Sequence, residues 1–253
     1  MAVASEPVAP QERLRAIESR LSHDGRVRID DLAEEFEVSA MTIRRDLDEL
    51  EGLGVARRVR GGAVAIGPEP FQQRHRHNAK AKARIAQKLV GLMPPTGVVA
   101  LDASSTVHRL AASMGPARDL VVVTNGIDTL QSLSRTTGVT PMLTGGSPEP
   151  RTGSLVGPLA VQSAENFLFD LFVCSSAALD AALGSSEASL AEAEVKRALA
   201  RTSARVALAV DHTKLDRRAH SRVFSLQQLD WLVTDLEPDD SRLDPYRHAV
   251  KLV

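Results

Sequence analysis

The run VVALDASSTVHRLA, residues 98–111, empties a β-branched apolar stretch into Asp102, Ser104, Ser105 and Thr106 just where an apolar-periodic segment begins. Those side chains suit a nucleophile, a cradle for an anion, or a helix cap. A serine nucleophile needs a base that a third group holds in place. His108 falls one turn into the following helix, on its expected solvent side, with no acid placed to orient it. Cap and cradle are compatible, because a helix N-terminus leaves N–H groups unpaired. A Ser/Thr cluster there can cap the helix when empty and hold a phosphate when full. Further along, Gly145-Gly146 can bring backbone N–H groups to an anion. Asn125 can orient a hydroxyl, and Lys214 can set a positive charge over a pocket mouth. Asp180 is the one carboxylate of SSAALDAALGSS, residues 175–186.

A second set of residues is basic. In SAMTIRR, Arg44 and Arg45 follow Ser39, Met41 and Thr42. In VARRVRGGAVAI, residues 55–66, Arg57, Arg58 and Arg60 alternate with apolar residues and no acid intervenes. Arginine at a helix start can pair with guanine edges or hold phosphates, and Gly61-Gly62 can let backbone approach them. His75 and His77 have no further ligand type beside them, so no metal site is expected. Cys174, the only cysteine, lies in the apolar run LFVCSSA and is expected as a buried thiol, with no disulfide and no cofactor implied.

The elements that must carry these groups fall into two patterns. Leu14, Ile17 and Leu21 mark a first helix ending at His23-Asp24-Gly25, and Leu32, Ala33 and Phe36 a second. Ser39 caps a third, in which Ile43, Leu47 and Leu50 point inward before Gly52 and Gly54 end it. Two short helices joined by a tight turn, followed by an apolar/basic hairpin, form a winged helix-turn-helix pattern over residues 11–66. Residues 71–92 predict one amphipathic, basic connecting helix with Ile85, Leu89 and Leu92 on its buried side. Beyond it, strand-like runs at 98–101, 120–123, 140–143, 171–174, 206–210 and 231–233 alternate with helical segments. That order predicts an α/β domain over 93–253 with a mostly parallel sheet, whose ligands sit beyond the carboxyl ends of its strands. The strands lead into DASST, TNG, TGG, SSAALD, DHTK and TD, so the polar groups named above collect at one sheet edge. Residues 1–10, with Pro7 and Pro10, are expected as a disordered lead-in, and 67–92 as linker and connecting helix.

Composition narrows the function. With 31 Lys+Arg against 32 Asp+Glu the net charge is −1, so any nucleic-acid surface must be local. Aromatic residues make up 3%, which argues against recognition of RNA or single strands by base stacking. MAVASEPVAP has no signal-peptide character, and Pro94-Pro95 break the most apolar stretch. A cytoplasmic protein without a membrane span is expected.

The run GRVRIDDLAEEFEVSAMTIRRDLDELEGLGVARRVRGGA resembles the winged-helix domain of the DeoR family of bacterial repressors, above all in VSAMTIRRDL followed by a basic wing ending in GGA. Downstream, Phe71, Arg74, Lys82, Arg84 and Ile85 fit the family's connecting pattern, with Ala81 in place of its acid. The family's D-x-G-T-T, T-N, G-G, D-x-S-K and T-D are echoed by residues 102–106, 124–125, 145–146, 211–214 and 234–235. The LVGPLA and EAEVKRAL stretches fit as well, so the likeness runs from about residue 11 to 236. It implies contacts to double-stranded operator DNA from Ser39 through Arg45. It also implies an effector domain similar to ribose-5-phosphate isomerase that binds a phosphorylated sugar or related metabolite, and a dimeric or tetrameric repressor. Ser104, Ser105 and Ala178 depart from the pattern, standing where the family usually has glycine, threonine and glycine. The competing expectation is an isomerase-like enzyme carrying a DNA-binding module; Asp180 alone makes too thin a set of carboxylates for it.

Overall fold

A computed structural model describes residues 8–253. The chain divides into two compact units, Met1–Gln73 and Arg74–Val253, and the division falls inside the expected linker.

The first unit contains α1 (Pro10–Asp24), β1 (Arg26–Arg28), α2 (Ile29–Glu35), α3 (Ala40–Gly52), β2 (Ala56–Val59) and β3 (Gly62–Ala65). Residues 1–7 of the expected lead-in lie outside the described residues, whereas Pro10 is the first residue of α1. Proline suits that position because its missing N–H would have had no partner there. α1 ends at Gly25, left-handed at φ 74°, whose N–H returns to the Leu21 carbonyl. Ile17, Leu21, Leu32, Phe36, Ile43, Leu47 and Leu50 close one core under a three-stranded sheet of order β1-β3-β2. At its edge, Arg13 donates to both carboxylate oxygens of buried Asp46, at 2.6 and 3.1 Å, and ties α1 to α3. That contact holds the Arg13 guanidinium above its ordinary pKa.

Instead of the single connecting helix the sequence predicts, there are two, α4 (Phe71–Arg76), within which the division falls, and α5 (Ala79–Val90) in the second unit. Asn78 adopts φ 51° between them. The Lys82 ammonium, nearly inaccessible, closes the break by donating to the carbonyls of Arg74 and His77. This lysine is therefore not part of a solvated basic face. Next come β4 (Gly97–Leu101), α6 (Ser105–Ser113), β5 (Leu120–Thr124), α7 (Ile127–Leu133) and β6 (Val139–Leu143). A hairpin follows, β7 (Ser147–Glu149) and β8 (Ser154–Val156), then α8 (Pro158–Glu165) and β9 (Leu171–Cys174). The chain continues through β10 (Ala178–Asp180), β11 (Gly184–Glu187), α9 (Leu190–Arg201), β12 (Val206–Ala209), β13 (Ser221–Arg222), β14 (Trp231–Val233) and β15 (Lys251–Leu252).

Seven strands form one sheet of order β15-β14-β12-β9-β4-β5-β6, every pair parallel. Helices cover both faces, as a parallel sheet requires. Alternate residues of β4 enter different cores: Val99 and Leu101 meet Ile85 and Leu89 of α5 and Val107 and Leu110 of α6. Ala100 joins Ala160 and Ala164 of α8 with Val195 and Leu199 of α9. β10, β11 and β13 make a separate antiparallel sheet. Among the described residues, no helix is long and apolar enough to cross a membrane.

Candidate functional site

In the first unit, α2 and α3 are joined by a turn in which Glu37 is left-handed at φ 53°. Ser39 caps α3, its Oγ accepting from the Thr42 N–H at 3.1 Å and lying 2.9 Å from Thr42 Oγ1. The two hydroxyls thus hold each other at the helix start. Met41 is 55% exposed, and Arg44 and Arg45 project into solvent from the same turn. Arg57 and Arg60 are exposed on the hairpin. Arg58 is different: its guanidinium turns back to α3, donating to the Arg44 carbonyl at 3.0 Å and pairing with Asp48. The glycines also divide. Gly61 makes the hairpin turn at φ 82°, with open space where a side chain would stand. Gly62 is buried, and a Cβ on it would fall 2.0 Å from the Val27 carbonyl oxygen, so it serves strand packing rather than approach to a phosphate.

In the second unit, the groups at the strand ends are organised by Asp102. Its carboxylate is fully buried, with Oδ1 accepting from the Ser104 N–H at 3.0 Å and Oδ2 from the Ser175 N–H at 2.9 Å. It thereby fastens the loop after β4 to the loop after β9. Lys196 of α9 reaches Oδ2 at 3.0 Å, Glu187 Oε1 at 2.5 Å and the Ser175 carbonyl at 2.7 Å. Asp102 was expected to meet a ligand; with both oxygens engaged inside the fold it is a brace. Ser104 caps α6, its Oγ accepting from the Val107 N–H at 3.2 Å. Ser105 and Thr106 follow, both buried, and Thr106 Oγ1 has no hydrogen-bond partner.

Neighbouring loops complete the edge. Gly126 lies against Ala103: a Cβ there would stand 2.8 Å from the Ala103 Cα. Asn125 donates from Nδ2 to the Leu155 carbonyl at 3.1 Å, while its buried Oδ1 is unpartnered. Lys214 donates to the Ser176 carbonyl at 2.6 Å and to Ser175 Oγ at 3.3 Å. Burial lowers its pKa, with Asp211 acting the other way. The loops after β12 and β14 also meet, where Asp235 accepts from the His212 N–H and lies 2.8 Å from His212 Nδ1.

Three expected positions fall elsewhere. Gly146 packs: at φ 131°, a Cβ would lie 2.7 Å from the Val156 carbonyl and 2.9 Å from Ala160 Cβ. Gly145 is exposed beside Leu159. Asp180 is spent on a hairpin turn, accepting from the N–H groups of Ala182 and Leu183 and from Arg218 Nε at 2.7 Å. Arg218 and those N–H bonds hold its carboxyl below the usual range. His108 does not face solvent. It is partly buried, 3.1 Å from Ser132 Oγ and edge-on to His75, and burial lowers its pKa. Sequence reasoning missed Glu187, Glu192 and Lys196. Glu192 accepts from Ser154 Oγ at 2.9 Å, and the only sequence signal is its i, i+4 spacing to Lys196.

A helix-turn-helix with a basic wing, joined to an α/β domain whose polar groups gather at the carboxyl edge of a parallel sheet, defines a DNA-binding regulator with a sensor domain. The DeoR-like helix-turn-helix domain matches residues 13–69, and the DeoR C terminal sensor domain matches 77–236. The chain belongs to the DeoR family of transcriptional regulators. It is 30% identical over 230 residues to the putative aga operon transcriptional repressor of Escherichia coli O157:H7, covering 88% of this chain and 86% of that one. It is 28% identical to the glycerol-3-phosphate regulon repressor of Escherichia coli K12, over 90% and 91% of the two chains. Among solved structures, ribose 5 phosphate isomerase A from Neisseria gonorrhoeae matches with a TM-score of 0.37 and 16% identity, over 54% of this chain and 53% of that one.

Proposed function

We propose that the protein represses a carbohydrate or related catabolic operon. In this reading it binds operator DNA as a symmetric dimer or tetramer, through the start of α3 and the exposed wing arginines. A small phosphorylated metabolite enters at the carboxyl ends of β4, β5, β9 and β12 and weakens DNA binding. One observation carries the sensor half: Asp102 locks the start of α6 beside the loop on which Lys214 rests. Free N–H groups of a helix start next to a fixed ammonium suit a phosphate. The relative named for a glycerol-3-phosphate regulon is in keeping with that chemistry. By linkage, metabolite and DNA must weaken each other's binding by the same factor.

A thermal-shift screen with inorganic phosphate, glycerol 3-phosphate and ribose 5-phosphate tests this, because a ligand of the folded state raises its melting temperature. The expected result is a stabilising phosphate ester that also lowers operator affinity. A screen in which no phosphate ester changes operator affinity would overturn the reading. Enzymatic turnover is not expected. Lys196 occupies Asp102 and Glu187, and a turn and Arg218 occupy Asp180, so no carboxylate of that set is free to act as a base. Turnover of ribose 5-phosphate would contradict this.

A further inference from the structure

We propose that Arg58 is a latch that sets the wing against α3, not a residue that touches DNA phosphate. The inference rests on the DNA-reading role of this unit. β2 is an edge strand, paired with β3 alone in the order β1-β3-β2. The inner strand β3 is fixed by the close approach of Gly62 to the Val27 carbonyl, but β2 has no strand on its outer side. Its position against the helix depends on side chains, and four contacts converge on Arg58. Nη1 donates to the Arg44 carbonyl at 3.0 Å and pairs with Asp48, and Nε reaches the Gly62 carbonyl at 3.4 Å. The backbone N–H of Arg58 donates to Glu51 Oε1 at 2.7 Å. One residue thus joins the second and third turns of α3, the strand it sits on, and the strand beyond.

The burial fits a latch. The Arg58 side chain is 24% exposed, whereas Asp48 is 64% exposed. Among the described residues, no hydrogen bond or ion pair engages the guanidinium groups of Arg57 and Arg60, which remain available to phosphate. A guanidinium can span a carbonyl and a carboxylate with its fixed fork; an ammonium cannot hold the same geometry. Because Arg58 donates to the carbonyl of Arg44, the wing and the base-reading turn are positioned by one contact.

Asp48→Asn separates a latch from a phosphate contact by the sign of its effect. If Arg58 is a latch, the substitution loosens the wing and weakens binding to an operator duplex. That duplex is selected from a random pool with the full-length wild-type protein. The expected loss is about threefold, the size of an exposed charge pair, and the slope of log affinity against log salt stays unchanged. If Arg58 instead contacts phosphate, Asp48→Asn frees that cation and removes an acid near the DNA. Affinity then rises, and the slope steepens by roughly 0.9 for the added contact. Tighter binding with a steeper slope overturns the latch. Arg58→Lys should also bind more weakly and fail to restore the wild-type complex. Arg57→Ala and Arg60→Ala, as controls, should each flatten the salt slope by roughly 0.9 if they hold phosphate. A melting temperature close to wild type shows that Asp48→Asn still folds. A random pool that yields no selected duplex overturns the DNA-reading role itself, which is a distinguishable failure.

Discussion

Replacing Lys196 with methionine keeps the length of the side chain and removes the one cation between two buried carboxylates. Asp102 and Glu187 have side chains only 1% and 7% exposed. Lys196 also satisfies the Ser175 carbonyl. Removing one partner of a buried ion pair costs about 3–5 kcal/mol, a large share of the roughly 5–15 kcal/mol that holds a domain folded. The pH dependence follows from the same contacts. Burial alone would lower the Lys196 pKa, but Asp102 and Glu187 outweigh it and hold the ammonium above the ordinary lysine range. A group with its folded pKa raised stabilises the protein fully below the unfolded value, about 10.4 for lysine, and loses that contribution only as pH climbs through the folded one. In the wild type, stability from this group is therefore flat around neutrality. In the variant the stranded carboxyls favour their neutral forms, so the folded state takes up protons and the penalty shrinks as pH falls. Urea unfolding followed by fluorescence measures this in the full chain. Trp231 is the only tryptophan and lies on β14, so it reports on the second unit. A loss below about 1 kcal/mol at neutral pH, against the value expected for a broken buried pair, would refute the reasoning. So would a penalty that grows on acidification.

Two further outcomes are expected. Asn78 joins α4 to α5 and donates from Nδ2 to Asp211 Oδ1 and Thr213 Oγ1, both at 3.1 Å, on the loop that carries Lys214. Asn78→Gly keeps the left-handed backbone and removes the amide, so metabolite binding should persist while its effect on operator affinity falls; unchanged coupling in paired titrations would count against this. Cys174 is fully buried and burial raises its thiol pKa, so a thiol reagent should label the urea-unfolded chain and leave the native one unmodified. Rapid labelling of native protein would contradict the packing.

What the sequence disclosed depended on how far each feature is local. The six inner and flanking strands from β4 to β14 announce themselves as short β-branched runs between turn residues. β15 is two residues long, β10 is the three-residue run Ala-Leu-Asp without a β-branched residue, and β11 is Gly-Ser-Ser-Glu without strand preference, so none of them was legible. The break at Asn78 sits in a stretch otherwise favourable to helix throughout, and a lone asparagine is a weak signal for a left-handed residue. Gly62 and Gly146 looked like flexible approaches to an anion because a sequence does not display the backbone that will press against them. Lys196 and Glu192 offer only an i, i+4 spacing, which does not tell a surface pair from a buried one. They are buried, Lys196 donating to the Ser175 carbonyl on the loop after β9 and Glu192 accepting from Ser154 Oγ on β8.

The hydroxyl cluster at residues 102–106 resolves into separate duties once its partners are known. Asp102 belongs to the brace with Lys196 and Ser175, and Ser104 to the helix start. The Ser104 backbone, at φ −76° and ψ 149°, is ordinary extended geometry, so nothing there requires glycine. A glycine would leave the Val107 N–H open, whereas Ser104 Oγ occupies it. On the proposed reading, the cradle then consists of the N–H groups of Ser105 and Thr106, the unpartnered Thr106 hydroxyl and the Lys214 ammonium. It has one donor fewer than a glycine-led loop would offer, and its first turn is held shut by a cap. Ligand preference would therefore diverge from that of glycine-bearing relatives at this turn, while the brace beneath it sets only where the turn stands.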